Sequence, residues 1–183
     1  MRIISGTARG TKLYTLDGIE TRPTLDRVRE SIFNILQGKI KDAVFLDLFS
    51  GSGAVGIEAA SRGAEKVILC DKSKRAIEII NKNIEKTHMQ DKIKVYNMNF
   101  KECLDKITDI KFNLIYLDPP YDTDYIEKSI EQILKLDILK QDATIIAETD
   151  NEKIISNLRN QNIKIIDERK YGRAKILFIK KKA

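Results

Sequence analysis

From residue 43 onward, short apolar runs recur at 43–48, 66–71, 92–96, 112–117, 143–148, 163–167 and 174–180. Between them lie stretches whose apolar residues return every three or four positions, as in Ile77, Ile80 and Ile84, or Ile126, Ile130, Ile133 and Leu134. Strand-length runs alternating with helical patterns predict a parallel sheet with helical crossovers. Only residues 168–173, with Gly172 among them, separate the last two runs. That is too short for a crossover, so an antiparallel hairpin is predicted. Upstream, the spacing predicts a helix over 25–36, with Thr24 as N-cap and Leu25, Val28, Ile32, Ile35 and Leu36 as its apolar stripe. Residues 2–5 and 11–15 flank Gly6 and Gly10 and suit a small hairpin.

A length of 183 residues fits one domain with a sizeable core, and no second domain is required. The expected organisation is a single domain over 1–183, with 1–20 an N-terminal β-hairpin extension. No apolar run approaches a membrane span, and Met1-Arg2-Ile3-Ile4-Ser5-Gly6 lacks the apolar core of a signal peptide. A cytoplasmic monomer is therefore expected. Cys70 and Cys103 lie far apart in or beside apolar segments, which suits reduced buried thiols rather than metal ligands. His88 has no Cys or His neighbour and follows a helical stretch, so it reads as a surface or helix-end residue. No metal site is expected.

Charge changes the picture only when it is located. Residues 164–183 carry eight Lys or Arg against Asp167 and Glu168, a balance of +6 that equals the net charge of the whole chain. Arg9, Lys12, Arg22, Arg27 and Arg29 form a weaker basic group near the N-terminus. If the two ends are adjacent they form one phosphate-binding face. Lys180, Lys181 and Lys182 suit a solvated end, whereas Arg169, Lys170, Arg173 and Lys175, interleaved with Tyr171 and Gly172, suit nucleic-acid contact, with Arg9 and Lys12 as further candidates.

Two of the three prolines stand together in Asp118-Pro119-Pro120-Tyr121, directly after an apolar run. A proline pair has no amide donors and a fixed φ, so the strand must end there in a rigid loop. One reading is simply a strand-ending turn. The other is chemical: carbonyl and carboxylate oxygens accept the hydrogens of an exocyclic amine while Tyr121 stacks on the face of a base.

The second motif, Asp47-Leu48-Phe49-Ser50-Gly51-Ser52-Gly53-Ala54-Val55-Gly56, joins the first sheet strand to a helix. It matches G-x-G-x-x-G, and Asp71 lies twenty residues beyond Gly51 at the end of the next strand, completing the formal dinucleotide fingerprint. Asp47 opposes that reading, because a carboxylate beside the turn repels a pyrophosphate. A cofactor with an amino-acid end and no phosphates fits better, as S-adenosylmethionine would. Asp47 then meets the methionine amine directly or through water, Ser50 to Gly53 supply close backbone, and Asp71 accepts the ribose hydroxyls.

The order of glycine loop, strand-ending acid and Asp-Pro-Pro-Tyr resembles the Rossmann-like class I methyltransferases that modify exocyclic amines. Arg22-Pro23-Thr24-Leu25-Asp26-Arg27-Val28-Arg29-Glu30-Ser31-Ile32-Phe33-Asn34-Ile35-Leu36, the two motifs, and Tyr171-Gly172-Arg173-Ala174-Lys175 together resemble the RsmD-like family of 16S rRNA guanine-N2 methyltransferases. The resemblance spans nearly the whole chain. It implies an α/β fold with helices on both faces of a seven-stranded, mostly parallel sheet, order 3-2-1-4-5-7-6 with strand seven antiparallel. It implies S-adenosylmethionine as cofactor and 16S rRNA or the assembling small ribosomal subunit as partner. By the same likeness Asp47, Ser50, Gly51, Gly53 and Asp71 hold the cofactor, Arg22, Pro23 and Thr24 close over its methionine end, and Asp118, Pro119, Pro120 and Tyr121 form the catalytic loop. Asn99-Phe100 stands where an acidic residue often meets the adenine amine, and Asn99 can still accept through its amide oxygen. A DNA adenine-N6 or cytosine-N4 methyltransferase shares the tetrapeptide, but this chain has no spare length for a sequence-reading domain. An NAD-binding oxidoreductase offers that loop no role.

Overall fold

A computed structural model describes residues 1–16 and 23–183, with the backbone alone at 23–25. Arg22 lies outside the described residues, as do the side chains of Pro23, Thr24 and Leu25 and residues 17–20 of the expected N-terminal extension.

The strands are β1 (Val44–Asp47), β2 (Lys66–Asp71), β3 (Ile93–Asn97), β4 (Phe112–Leu117), β5 (Leu139–Thr149), β6 (Ile163–Tyr171) and β7 (Ala174–Lys181). They form one sheet in the order β3-β2-β1-β4-β5-β7-β6. β1 to β5 run parallel, and β7 is antiparallel to both β5 and β6. The class I methyltransferase arrangement implied by the resemblance is therefore present.

The helices are α1 (Pro23–Ile35), α2 (Ala54–Ser61), α3 (Lys74–Thr87), α4 (Phe100–Lys106), α5 (Tyr125–Leu136) and α6 (Glu152–Leu158). Two clusters of buried apolar residues lie on the two faces of the sheet. One gathers the N-terminal segment, α1, α2 and α3 around Phe45, Val67, Leu69 and Phe178, and the other gathers α4, α5 and α6 around Leu46, Ile68, Phe112 and Ile115. Neighbouring strand residues such as Phe45 and Leu46 serve opposite clusters, which is why these strands read as unbroken apolar runs.

Three boundaries differ from the sequence expectation. α1 begins at Pro23, so Thr24 stands inside its first turn rather than capping it. A proline suits the first helical position because its missing donor is not needed there. β5 begins four residues early, at Leu139, through the exposed stretch Lys140-Gln141-Asp142, where Asp142 has φ 62° and the register against β4 shifts. That polar entry leaves no apolar pattern to read. β6 continues to Tyr171, and pairing of Tyr171 with Ala174 leaves Gly172 and Arg173 as the hairpin loop. Gly172, at φ 61°, supplies the positive φ that such a loop needs.

The N-terminal segment pairs through Arg2 and Lys12 and is anchored by buried polar side chains. The Glu58 carboxylate on α2 accepts the Ile4 and Ser5 amides at 2.9 and 3.1 Å. The Ser61 hydroxyl accepts the Ala8 amide and donates to the Ser5 carbonyl. On α3, Asn83 accepts from the Tyr14 amide and donates to the carbonyls of Tyr14 and Ser52. Asn83 thus ties the N-terminal segment to the glycine turn.

Candidate active site

The carboxyl ends of parallel strands converge on a cavity of about 790 Å³, whose lining includes Asp47, Asp71, Asp118, Tyr121 and Glu148. That volume and position are those of a small-molecule site in an open α/β sheet.

One wall is the glycine turn. β1 is buried throughout, and the chain leaves it at Asp47 to reach α2 through Gly51 (φ 56°) and Gly53 (φ 82°). Gly56 is required for another reason: a Cβ there would lie 2.2 Å from Leu69 Cδ2, so α2 packs on β2 only without a side chain. The Ser50 hydroxyl donates to the Asp47 carbonyl at 2.9 Å and accepts the Cys70 amide at 3.1 Å, locking the tips of β1 and β2 together. Both Asp71 oxygens accept backbone amides, from Gly51 and from Ser73, each at 2.9 Å. A carboxylate oxygen accepts more than one bond, so Asp71 keeps capacity for hydroxyls beside it. Asp47 is buried and accepts the Phe49 amide at 3.2 Å. Burial, reinforced by the Asp71 charge, pushes its pKa up to about 7 against the relief given by that amide.

The opposite wall is the proline loop after β4. Asp118 remains exposed to the cavity although protein surrounds it closely. Desolvation there, with the Glu148 and Asp47 charges, pushes its pKa well above the ordinary carboxylate range. The Pro120 carbonyl accepts the Thr123 hydroxyl at 2.9 Å, bracing the loop. Tyr121 is 67% exposed, a large ring held at the mouth without covering partners.

Tyr116 and Glu148 complete this wall, and sequence reasoning assigned neither a role. The buried Tyr116 hydroxyl donates to Glu148 Oε2 at 2.9 Å. Burial raises the Glu148 pKa, and the Tyr116 bond opposes the rise by favouring the carboxylate. A signal did exist. Asp47, Asp71 and Glu148 all stand at or next to the carboxyl end of a parallel strand, and Asp118 directly follows one. An acid in that position deserves the same scrutiny in β5 as in β1 and β2.

The third wall carries an aromatic cluster, in which sequence reasoning named Phe100 but gave Phe49 and Tyr125 no role. Phe100 lies 5.4 Å from Phe49 and 5.0 Å from Tyr125, and the Phe49 and Tyr125 rings are nearly parallel at 6.1 Å between centroids. Asn99 caps α4, its side-chain oxygen accepting the Glu102 amide at 3.0 Å, so one of the two lone pairs on the atom expected to meet an adenine amine is engaged by the helix. The first amides of a helix lack intrahelical partners, so the start of α4 still offers donors beside the Phe100 ring.

The basic candidates lie outside the cavity and separate into two groups. Arg9 and Lys12 are exposed on the segment anchored to α2 and α3, over the β1–β3 half of the sheet, whereas Arg169, Lys170, Arg173 and Lys175 lie on the β6–β7 hairpin at the far edge. Arg169 pairs with Asp167 at 3.0 Å, and Lys175 pairs with Glu152 and with Glu168, the latter at 3.0 Å. Lys170 and Arg173 are exposed.

A family model described as Conserved hypothetical protein 95 matches residues 1–180. The chain belongs to this family. YlbH of Bacillus subtilis is 37% identical over 154 residues, covering 83% of this chain and 84% of that protein. Ribosomal RNA small subunit methyltransferase D of Haemophilus influenzae is 35% identical over 155 residues, covering 84% and 80%. The solved structure of Escherichia coli yhhF superposes with a TM-score of 0.85 at 29% identity, covering 100% of this chain and 98% of that one. The RsmD-like resemblance of the motifs is thereby shown, and this member of the family keeps the sheet order that the resemblance implies.

Proposed function

We propose that the protein transfers a methyl group from S-adenosylmethionine to the exocyclic N2 of a guanine in 16S ribosomal RNA, free or within the assembling small subunit. The observation that carries this reading is one cavity holding both the acid-flanked glycine turn and the Asp118-Pro119-Pro120-Tyr121 loop. Relatives named for ribosomal RNA small subunit methylation support the RNA class.

Asp47, Asp71, Asp118 and Glu148 crowd four carboxyl groups into a lining that also holds Arg29, Lys72 and Lys101, and burial raises the pKa of Asp47, Asp118 and Glu148. Such a lining opposes a pyrophosphate and favours a ligand bearing positive charge. S-adenosylmethionine carries a sulfonium and an ammonium, and supplies an electrophilic methyl group. Asp47 is placed for the ammonium, Asp71 for the ribose hydroxyls, and Phe100 with the start of α4 for the adenine.

Asp118 and the adjoining prolyl carbonyl accept the hydrogens of the target amine. Accepting them favours the pyramidal nitrogen whose lone pair is nucleophilic, so positioning does most of the catalysis. The N–C bond forms as the C–S bond breaks, and the amine proton leaves to Asp118 or to water. Tyr121 stacks on a base drawn out of its neighbours.

The test pairs calorimetry of S-adenosylmethionine binding with transfer of labelled methyl groups to unmodified 16S rRNA or subunits. Asp118→Ala is expected to bind the cofactor within a few-fold of wild type while turnover falls on the order of 100-fold or more. Unchanged turnover removes Asp118 from catalysis, and binding of NADH without S-adenosylmethionine ends the methyltransferase reading.

A further inference from the structure

Glu148 stands one residue before the end of β5 and lines the cavity beside the proline loop, yet nothing in the transfer step above uses it. Its Oε2 is held by the Tyr116 hydroxyl at 2.9 Å, and among the described residues its Oε1 is given no partner. Tyr116 is buried, so the bond fixes the carboxylate against the wall while the residue as a whole remains half-buried at the cavity surface. Pro119, Pro120, Tyr121 and Glu148 line one small recess, which sets Glu148 beside the same loop that receives the base.

Two acceptors on one cavity wall, Asp118 and Glu148, match one base edge in particular. Guanine presents two adjacent donors there, N1–H and the 2-amino group, whereas adenine and cytosine present an amine beside a ring nitrogen that accepts. A carboxylate attracts the first pattern and repels the ring lone pair of the second.

We propose that Glu148 is the guanine-selecting residue of this site, its carboxylate accepting N1–H of the extruded base while Asp118 accepts from the 2-amino group. Tyr116 is the positioning residue: by donating to Oε2 it holds Glu148 as an acceptor and leaves the other oxygen to the base. Reading a flipped base through its pairing edge is how base-modifying enzymes select their substrates. The proposal rests on the guanine-N2 reading above and adds to it the residue that makes the choice.

The decisive probe is 2-aminopurine, which keeps the 2-amino nucleophile but carries a bare, accepting N1. The methylated position is first located in 16S rRNA by mass spectrometry. Ligated 16S rRNA carrying guanine or 2-aminopurine at that position is then presented, free and in reconstituted subunits, to wild type, Glu148→Gln and Tyr116→Phe. Wild type is expected to prefer guanine by on the order of 10- to 100-fold in kcat/KM, the discrimination of a good base-edge contact. Glu148→Gln, whose amide can donate to a bare N1, is expected to shrink that preference to about threefold or less while S-adenosylmethionine is still bound. Tyr116→Phe keeps the direction of the preference and reduces its size.

An undiminished preference in Glu148→Gln, with the cofactor still bound, overturns the proposal and leaves the guanine-N2 reading standing. Failure of wild type to form N2-methylguanosine at all overturns that reading itself. The two failures are therefore distinguishable.

Discussion

The Gly51 amide donates to the Asp71 carboxylate at 2.9 Å, joining the glycine turn after β1 to the end of β2 across twenty residues of chain. One acid therefore shapes the turn and faces the space where a ribose would lie. Asp71→Ala strips the acceptor from the Gly51 and Ser73 amides together. The expected loss is about 1–3 kcal/mol of stability, read by urea unfolding, with cofactor affinity weakened at least tenfold in calorimetry. Asp71→Asn keeps an oxygen for one amide and should fall between the two.

The N-terminal segment depends on close backbone contact at Gly6. A Cβ there, at φ 89°, would stand 1.9 Å from the Ser61 carbonyl oxygen, whereas Gly10, at φ 84°, faces open space. Gly6→Ala is expected to cost about 3 kcal/mol or more, and Gly10→Ala about 1 kcal/mol from backbone conformation alone. Thermal unfolding of the pair separates steric clash from φ strain, and equal losses would refute the close contact.

Burial holds the Asp47 pKa at about 7, above its ordinary value of 3.8. A carboxyl whose pKa is raised on folding stabilises most when protonated, so this contribution is complete below about pH 4 and is lost as pH rises through about 7. Unfolding free energy of the ligand-free protein should decline across that window, and Asp47→Asn should flatten the decline. The raised Asp118 and Glu148 act in the same direction, so a residual slope remains in the variant. A cationic ligand at Asp47 should release protons near pH 7, making the calorimetric enthalpy depend on the buffer.

RNA contact is expected to fall on the cations of the β6–β7 hairpin that have no acidic partner among the described residues. Lys170→Glu with Arg173→Glu should weaken RNA binding and reduce its salt slope by about 2, since each phosphate contact contributes about one unit. Arg169 and Lys175, already matched by Asp167, Glu152 and Glu168, should contribute less. An unaltered slope in the double variant would return the hairpin to a solubility role.

Most of the sheet was legible because both of its faces are covered. Strands such as 66–71 and 112–117 carry the apolar runs Val67 to Cys70 and Leu114 to Leu117, and their observed limits are Lys66–Asp71 and Phe112–Leu117. The polar entry to β5 had no such signature, and the exposed hairpin end of β6 looked like loop. Asp47 and Asp118 drew notice because each stands by a glycine or proline signal, and Asp71 because it lies twenty residues beyond Gly51 at the end of a strand. Glu148 has no such neighbour, and its partner Tyr116 lies thirty-two positions away, so their bond exists only in the packed sheet. Asn99 also meets a local demand, capping α4 through the Glu102 amide, and leaves its oxygen's second lone pair for a ligand.

The most direct measurement is identification of the product. Purified protein, S-adenosylmethionine with a labelled methyl group, and 16S rRNA or small subunits lacking the modification should yield one labelled nucleoside, analysed by mass after digestion. N2-methylguanosine, absent when Asp118→Ala replaces the wild type, is the expected result. A labelled N6-methyladenosine or N4-methylcytosine, or no transfer to RNA from a protein that binds the cofactor, would contradict it.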